Sequence, residues 1–341
     1  MRGFLKPAAG LTCLFAMAVT GCSSGSGGTS DAAPAPPERS AASTEAAAAS
    51  STSYAPYVSA TTASDNDSAG SPTTYNLAFV IADGSDCTPK WNDEYAIGNS
   101  AVKSRISQLK QDGATVRVSF GGASGKELAA TCDSASKLAA AYAEALDAAG
   151  ATEADFDIEG DELTDSDSVA LRSKAIALLQ KDRDDLTVSF TLPVMPSGLD
   201  DDGLALLESA NEYDVQVSTV NIMTMNYGES YTGDMGDYAL TAARATHTQL
   251  KKVFGLSDAN AWRGMALTSM IGVNDVDNET FTLFDAAQVR TFAEEKEIAW
   301  VSMWAGFRDQ QCDDDSASDD AATDCSGVKQ SSGAFGKAFA G

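Results

Sequence analysis

The sequence predicts an α/β protein whose folded part, residues 54–341, is a single (β/α)8 barrel of the TIM type. Apolar segments rich in β-branched and aromatic residues alternate with amphipathic helical patterns along this part of the chain. Such alternation indicates parallel strands joined by right-handed crossovers. Eight strands within roughly 288 residues favour a closed barrel over a doubly wound sheet. No GxGxxG sequence opens a helix after the first strand, as a dinucleotide-binding fold would require.

The expected strands are apolar runs, several of which end in Gly, Pro, Asp or Asn. They are Tyr54–Val58, Tyr75–Ala82, Thr115–Phe120, Ala154–Ile158, Leu186–Leu192, Val215–Met225, Met265–Ile271 and Ile298–Trp304. Helices are expected where apolar residues recur three or four positions apart. The clearest patterns lie at 101–109, 138–146, 169–179, 204–207 and 286–292. Thr164, Asp165 and Ser166 offer N-cap side chains before the third of these helices.

The first residues have the pattern of an export signal. Arg2 and Lys6 precede a short apolar run, which ends in Val19-Thr20-Gly21-Cys22. This ending resembles the lipobox of bacterial lipoproteins, and ordinary cleavage at a small-residue site is the alternative. We expect residues 1–21 to be a lipoprotein signal peptide and Cys22 to be lipidated. The protein would then be extracellular or at the cell surface, in contact with the bacterial membrane only through its lipid anchor.

Residues 22–53 have the composition of a flexible linker. Ser, Ala, Gly, Thr and Pro dominate this segment, and such residues cannot bury a core.

Over the whole chain 49 acidic residues outnumber 23 basic ones, for a formal net charge of −26. That balance argues against a nucleic-acid partner, because phosphate neutralisation needs clustered Lys and Arg. The chain has a single histidine, His247, which lies on a helical pattern. An HExxH zinc site needs two histidines and is therefore excluded.

The cysteines fit an exported protein, in which disulfides persist. Four remain after Cys13 and Cys22, and four allow three pairings. Cys312 and Cys325 flank a short polar loop, which favours a bridge between them and leaves Cys87 to pair with Cys132. Neither pair has CxxC spacing, and the Asp-rich loop at 313–324 lacks the Gly and Glu of an EF-hand. We therefore expect no metal and no cofactor.

The fourth expected strand carries three carboxylates on one face. Asp155, Asp157 and Glu159 alternate with Phe156 and Ile158, and a strand has a period of two. In a barrel the apolar pair packs against the helices, so the acids point inward, where crowding raises the pKa of at least one. Glu159 ends the strand, at the face where barrels hold their active sites, and is the candidate proton donor. A solvated acidic strand edge and an oxygen-ligand metal site are the alternatives.

These residues resemble the end of the DxxDxDxE signature of family 18 glycoside hydrolases, the chitinases. Ser119-Phe120-Gly121-Gly122 is similar to the SxGG motif of that family, and Met225-Asn226-Tyr227 to its MxY motif. Trp304 ends the eighth expected strand, where the family places the tryptophan floor of its sugar site. The four motifs stand in the family's order over nearly all of the folded part. The sequence around these motifs is most similar to that of short, insertion-free actinobacterial chitinases.

The resemblance implies a chitinase that hydrolyses β-1,4-linked N-acetylglucosamine by a substrate-assisted, retaining mechanism. By this resemblance Glu159 would be the general acid and then the general base. Asp157 would orient the acetamido N–H of the substrate, and Asp155 would hold Asp157. Tyr227 would hold the acetamido oxygen, and Trp304 would pack beneath the sugar. The expected partners are chitin or N-acetylglucosamine oligosaccharides.

Three further residues are candidates for lining the cleft. They are Met225, which shares a face with Tyr227, Tyr57 near the first strand, and Trp91 after the second. Each of them could instead be a packing residue. Only about 30 residues separate the seventh and eighth strands, which is one βα unit and leaves no room for an additional domain. We therefore expect a shallow, open cleft and endo cleavage.

Three positions depart from the family pattern. Thr152 stands where the signature has its first aspartate, and Asn226 and Gly228 stand where relatives often carry aspartate. The last two changes could shift the pH optimum or the binding of the scissile sugar.

Two other functions fit the same residues. They are an endo-β-N-acetylglucosaminidase acting on other N-acetylhexosamine glycans and a non-catalytic sugar-binding barrel. We expect a monomer in each case.

Overall fold

A computed structural model describes residues 52–313 and 324–341 of the chain. The signal peptide at 1–21, the lipidation of Cys22 and nearly all of the linker at 22–53 lie outside these described residues. They remain predictions from sequence. No helix in the described part of the chain is both long and apolar enough to cross a membrane.

The strands and helices of the described residues follow one another in the order expected for a barrel. The strands are β1 (Ser53–Tyr54), β2 (Tyr57–Ser59), β3 (Thr74–Asp83), β4 (Asp86–Trp91), β5 (Tyr95–Ala96), β6 (Thr115–Gly121), β7 (Glu153–Asp157), β8 (Thr187–Pro193), β9 (Val217–Met223), β10 (Met265–Met270), β11 (Gly272–Val273), β12 (Thr280–Phe281) and β13 (Trp300–Trp304). The helices are α1 (Ser100–Leu109), α2 (Ala135–Ala149), α3 (Asp161–Thr164), α4 (Ser166–Asp182), α5 (Asp201–Glu212), α6 (Met235–Phe254), α7 (Asp258–Arg263), α8 (Leu283–Lys296) and α9 (Ala334–Ala340).

The barrel wall is a parallel sheet. β3, β6, β7, β8, β9, β10 and β13 pair in parallel, each with the next along the chain. The first expected strand is divided into two segments, because β1 pairs with β13 whereas β2 pairs with β3. Ala55 and Pro56 separate these segments, so no single continuous strand closes the ring. The predicted (β/α)8 fold is confirmed, with its ring interrupted at this point.

The aromatic core confirms the alternation predicted for β7. The Phe156 and Ile158 side chains are fully buried on the outer face of the strand. The Phe156 ring stacks on Phe120 of β6 at 5.3 Å between centroids and contacts Phe190 of β8 at 5.7 Å. Tyr142 of α2 packs edge-on against Phe120 at 4.8 Å. The apolar residues of β7 therefore face the helices, which leaves its carboxylates inside the barrel.

Two short hairpins were not predicted from the sequence. β4 pairs antiparallel with β3 and β5 pairs antiparallel with β4, whereas β11 pairs antiparallel with β12. β4 contains Pro89 and three charged or polar side chains, so it lacks the alternation by which a half-buried strand is recognised. No α-helix lies between β2 and β3, and α9 packs beside β1 instead, where Phe339 stacks on Tyr54 at 6.2 Å.

Both expected disulfides are present. Cys87 of β4 pairs with Cys132, just before α2, with their Cα atoms 4.6 Å apart. Cys312 pairs with Cys325, with their Cα atoms 5.0 Å apart. The histidine predicted to lie on a helix, His247, is buried in α6, where its ring stacks on Trp262 at 3.9 Å and bonds the Asp258 carbonyl oxygen.

Candidate active site

The carboxyl ends of the strands surround a cavity of about 620 Å³. Five of the candidate catalytic and substrate-binding residues line it: Glu159, Asp157, Met225, Tyr57 and Trp304. They come from four different strands or strand ends, and the fold brings them together at the face where (β/α)8 barrels carry their chemistry.

Asp155 lies beneath the cavity and is held by four hydroxyl groups. Its residue is 1% exposed. The Tyr57 hydroxyl donates to Oδ2 at 2.9 Å and Ser119 Oγ donates to the same oxygen at 2.7 Å. Ser189 Oγ and Thr191 Oγ1 donate to Oδ1 at 2.7 and 2.8 Å. Strands β2, β6 and β8 thus fix this carboxylate from three sides. Sequence reasoning named Ser119 only as part of the SxGG motif and missed Ser189 and Thr191, because Ser and Thr are common in strands for other reasons.

Asp157 and Tyr227 carry buried polar atoms that have no partner. Their residues are 5% and 4% exposed. Neither Asp157 Oδ1 nor the Tyr227 hydroxyl makes a hydrogen bond to any described residue. Leaving such a group unpaired costs about 1–3 kcal/mol, so these atoms fit a polar ligand. Burial raises the pKa of the Tyr227 phenol far above its usual value, and the Glu279 carboxylate raises it further, so this group stays a donor.

Glu159 and Asp157 are a pair of carboxyl groups in the cavity lining, where burial disfavours their charged forms. Burial raises the pKa of Asp157 well above its usual value, and the charges of Glu159 and Asp155 act in the same direction. Burial also raises the pKa of Glu159, with the carboxylates of Asp275 and Glu162 as further causes. The pair therefore holds a proton at a higher pH than ordinary carboxyl groups do. That is the state a general acid needs.

An aromatic platform forms one wall of the cavity. Trp304 and Phe79 stack with 5.5 Å between their centroids and 21° between their planes. Tyr57 meets Trp304 edge-on at 5.9 Å. Gly122 lies against the Phe79 ring at a φ of +89°, and a Cβ there would come within 2.8 Å of the ring. Phe79 was missed from the sequence, because a phenylalanine within an apolar strand is typical of a core residue.

The loop between β11 and β12 contacts the turn that carries Tyr227. Asn226, at a φ of +54°, donates from Nδ2 to Asp275 Oδ2 at 2.8 Å. The Asp275 N–H donates to Asn226 Oδ1 at 3.0 Å. The Gly228 N–H donates to Glu279 Oε1 at 2.8 Å, and the Glu279 side chain is fully buried. Asp275 and Glu279 were not predicted as site residues, because in the sequence they belong to a polar loop of an acidic protein.

Trp91 is the one substrate-binding candidate that the structure places elsewhere. Its side chain is fully buried and belongs to the hydrophobic core. Its Nε1 donates to the Ile97 carbonyl oxygen at 3.4 Å. Because β4 folds back antiparallel to β3, this side chain turns into the core and has no surface left for a sugar. The expectation that Trp91 lines the cleft was wrong.

Thr152 lies at the amino end of β7, away from the cavity, where its carbonyl oxygen accepts the Thr187 N–H. Its departure from the family signature therefore does not alter the cavity lining. No group of three or more His, Cys, Asp or Glu side chains within residues 52–313 and 324–341 is arranged to hold a metal ion.

No family model matches the sequence. The chain is 34% identical over 275 residues to a probable bifunctional chitinase/lysozyme of Escherichia coli strain K12, across 75% of this chain and 31% of that protein. It is 32% identical over 274 residues to Endochitinase 11 of Metarhizium anisopliae, across 75% of this chain and 52% of that protein. The chain thus spans about a third and about half of the length of these two curated relatives.

Solved structures of chitinases have the same fold. The catalytic domain of the hyperthermophilic chitinase from Pyrococcus furiosus matches with a TM-score of 0.73 and 28% identity, over 84% of this chain and 93% of that one. A GH18 chitinase from Pseudoalteromonas aurantia matches in fold, with a TM-score of 0.55 and 14% identity, over 74% and 94%. The described barrel therefore has the fold of chitinase catalytic domains. The chain is thus similar to chitinases both in sequence and in fold.

Proposed function

We propose that the protein is a family 18 chitinase that hydrolyses β-1,4-linked N-acetylglucosamine polymers. The observation that carries this proposal is a pair of buried polar atoms without a hydrogen-bond partner among the described residues, Asp157 Oδ1 and the Tyr227 hydroxyl. An acetamido group offers one N–H donor and one carbonyl acceptor, which match these two atoms. The named chitinase relatives and a Pyrococcus furiosus chitinase solved with chito-oligosaccharides support the same substrate class.

The proposed reaction proceeds with retention through the substrate's own acetamide. Glu159 gives its proton to the glycosidic oxygen while the acetamido oxygen attacks the anomeric carbon. The bond from that carbon to the leaving sugar breaks, which leaves an oxazolinium ion. Water then attacks the anomeric carbon and gives a proton to the Glu159 carboxylate, which restores the acetamide and the acid. No carboxylate nucleophile is needed, in keeping with family 18 as an exception among retaining glycosidases.

The other site residues have supporting roles in this proposal. Asp157 accepts the acetamido N–H and offsets the positive charge that develops on the oxazolinium ion. Asp155, fixed by its four hydroxyl donors, lies beneath Asp157 on the same face of β7. The Tyr227 hydroxyl donates to the acetamido oxygen. The apolar face of the scissile sugar packs on Trp304, on which Phe79 stacks.

Endo cleavage is part of the proposal. The chain between β10 and β13 holds the short hairpin β11–β12 and α8, so no further domain walls the groove on that side. A groove open in this way allows a long polymer to lie across it. An initial product profile from long oligomers dominated by dimers would contradict endo cleavage.

We further propose that the enzyme is a chitinase of the short, insertion-free actinobacterial type. It would be exported as a lipoprotein and act as a monomer at the cell surface. The pattern around Cys22 supports the anchor, and the two disulfides suit an oxidising compartment. Labelled fatty acid should enter the protein in its bacterial host and should not enter a Cys22→Ser variant. Equal labelling of both would contradict the anchor.

The stereochemistry of the first products tests the mechanism. Proton NMR of a chitin hexamer, followed from the first seconds, should show products whose new reducing ends have the β configuration, before mutarotation. The α configuration would contradict retention.

Cleavage of N-glycan cores in place of chitin oligomers would make the protein an endo-β-N-acetylglucosaminidase. Binding to oligomers without any cleavage would make it a sugar-binding barrel.

A further inference from the structure

The reciprocal hydrogen bonds between Asn226 and Asp275 fix a carboxylate at the cavity wall. One bond uses the Asn226 amide nitrogen and the Asp275 side chain, and the other uses the Asn226 amide oxygen and the Asp275 backbone. Both residues line the same cavity as Glu159. The turn beneath Asn226 is itself held, because the buried Glu279 accepts the Gly228 N–H. The position of Asp275 therefore follows from two contacts with the end of β9.

The Asp275 carboxylate shares the cavity lining with Glu159, and no cation in the described part of that lining neutralises it. No Lys, Arg or His is among the described residues that line the cavity. Of the charged neighbours that affect Glu159, Asp275 has the largest effect and Glu162 of α3 the next. A like charge across a mostly apolar space disfavours ionisation of the facing carboxyl. The hydrogen bonds to Asn226 keep the carboxylate at the wall, and because Asp275 is exposed, solvent screens part of its charge.

We propose that Asp275, held by Asn226, is a positioning residue that keeps the proton on Glu159 until the glycosidic oxygen takes it. The inference rests on the proposed role of Glu159 as general acid. Asp275 does not need to touch the substrate for this role, since it acts through Glu159.

The other titratable groups around Glu159 are acidic or phenolic. They are Asp155 and Asp157 on β7, Glu162 on α3, the phenols of Tyr57 and Tyr227, and Asp93 and Asp200 at the cavity rim. Substitution of Asp157 or Tyr227 changes groups that would touch the substrate. Among the residues that would not touch the substrate, Asp275 is the charged neighbour with the largest effect on Glu159, so its charge can be removed while those groups remain.

The test compares pH profiles of kcat/KM on a soluble chitin oligomer. Asp275→Asn removes the charge and keeps an oxygen that can accept from Asn226. We expect the alkaline limb of its profile to move to lower pH by roughly 0.5–1 unit, the effect of one partly screened like charge. Asp277→Asn is the matched control, because it removes the same charge from the same loop and Asp277 does not line the cavity. Its alkaline limb should coincide with that of the parent.

A charge swap separates electrostatics from structure. The double variant Asn226→Asp with Asp275→Asn keeps one carboxylate and one amide in the pair, with the charge on the neighbouring side chain. Its alkaline limb should return towards that of the parent. A double variant whose limb stays with Asp275→Asn, or a control whose limb moves as far, would overturn the proposal.

A direct titration keeps the inference separate from the proposed activity. Carbon-13 NMR of proteins labelled at the glutamate carboxyl carbons, assigned with Glu159→Gln, follows the ionisation of Glu159 without any substrate. Its midpoint should be lower in Asp275→Asn than in the parent and unchanged in Asp277→Asn. An unchanged midpoint in Asp275→Asn overturns the inference. A shifted midpoint in a protein that cleaves no N-acetylglucosamine glycan supports the inference on Glu159 and contradicts the proposed function.

Discussion

Replacement of Arg172 by Met should destabilise the barrel strongly, because it leaves a buried carboxylate without its cation. The Arg172 and Glu127 side chains are 1% and 2% exposed. Nε and Nη2 of the arginine donate to Glu127 Oε2 at 3.0 and 2.9 Å. The pair joins α4 to the loop after β6, in which Ala123, Ser124 and Gly125 line the cavity. Loss of the pair therefore affects both the fold and one wall of the site.

The expected cost follows from what remains around Glu127. Removal of one partner from a buried ion pair costs about 3–5 kcal/mol. The Tyr142 hydroxyl still donates to Oε1 at 2.6 Å and the Ala129 N–H to Oε2 at 2.9 Å, which places the cost near the lower end. A loss of about 3 kcal/mol should lower the melting temperature by about 5 °C in a domain of this size.

The assay is urea-induced unfolding of the folded domain, followed by circular dichroism. Arg172→Met should lower the free energy of unfolding by about 3 kcal/mol with an unchanged m-value. The double variant with Glu127→Gln should recover more than half of this loss, because no charge is then left buried. Lys181→Met, at an exposed position of the same helix, is the control and should change the free energy by less than about 0.5 kcal/mol. A loss below about 1 kcal/mol in Arg172→Met, or a double variant no more stable than the single one, would refute the reasoning.

Three further predictions concern the cavity. Tyr57→Phe removes one of the four donors to Asp155, and kcat/KM on chitin oligomers should fall about 10-fold or more, since a hydrogen bond to a charged group contributes about 1.5–3 kcal/mol; unchanged kinetics would count against the network. Burial raises the folded-state pKa of Asp157 above its unfolded value, so the parent loses stability as pH rises above about 4. Asp157→Asn should therefore have a higher melting temperature than the parent at pH 8 and nearly the same one at pH 4. An equal gain at both pH values would contradict the raised pKa of Asp157. Gly122→Ala should displace Phe79 and raise KM more than it lowers kcat, as judged by steady-state kinetics, and an unchanged KM would exclude the platform from binding.

The alternation of apolar and acidic residues in β7 was sufficient to predict which face of that strand carries chemistry. Phe156 and Ile158 are buried on the outer face of the strand. Because successive side chains of a strand point to opposite faces, Asp155 and Asp157 lie on the inner face. The same hydrophobic periodicity predicted α1, α2, α4, α5 and α8 within a few residues of their ends. These features depend on local sequence, which is why a single sequence was enough.

The contacts of Asp275 and Glu279 depend on tertiary structure and left no such pattern. Both residues lie in a loop that approaches the end of β9 only after β10 has paired with β9. Trp91 was misassigned for a similar reason, because the direction in which its side chain points is set by the antiparallel pairing of β4 with β3. The position of a charged loop residue cannot be predicted from spacing alone.

Hydrolysis of N-acetylglucosamine oligomers by the parent and by Glu159→Gln tests the central claim most directly. The substitution keeps the shape of the side chain and removes the proton that the mechanism needs. We expect cleavage by the parent and a fall in kcat of about 10²–10⁴-fold or more in the variant, the contribution of a general acid. Equal activity of the two proteins would contradict the assignment of Glu159, and the absence of cleavage by the parent would contradict the proposed chitinase.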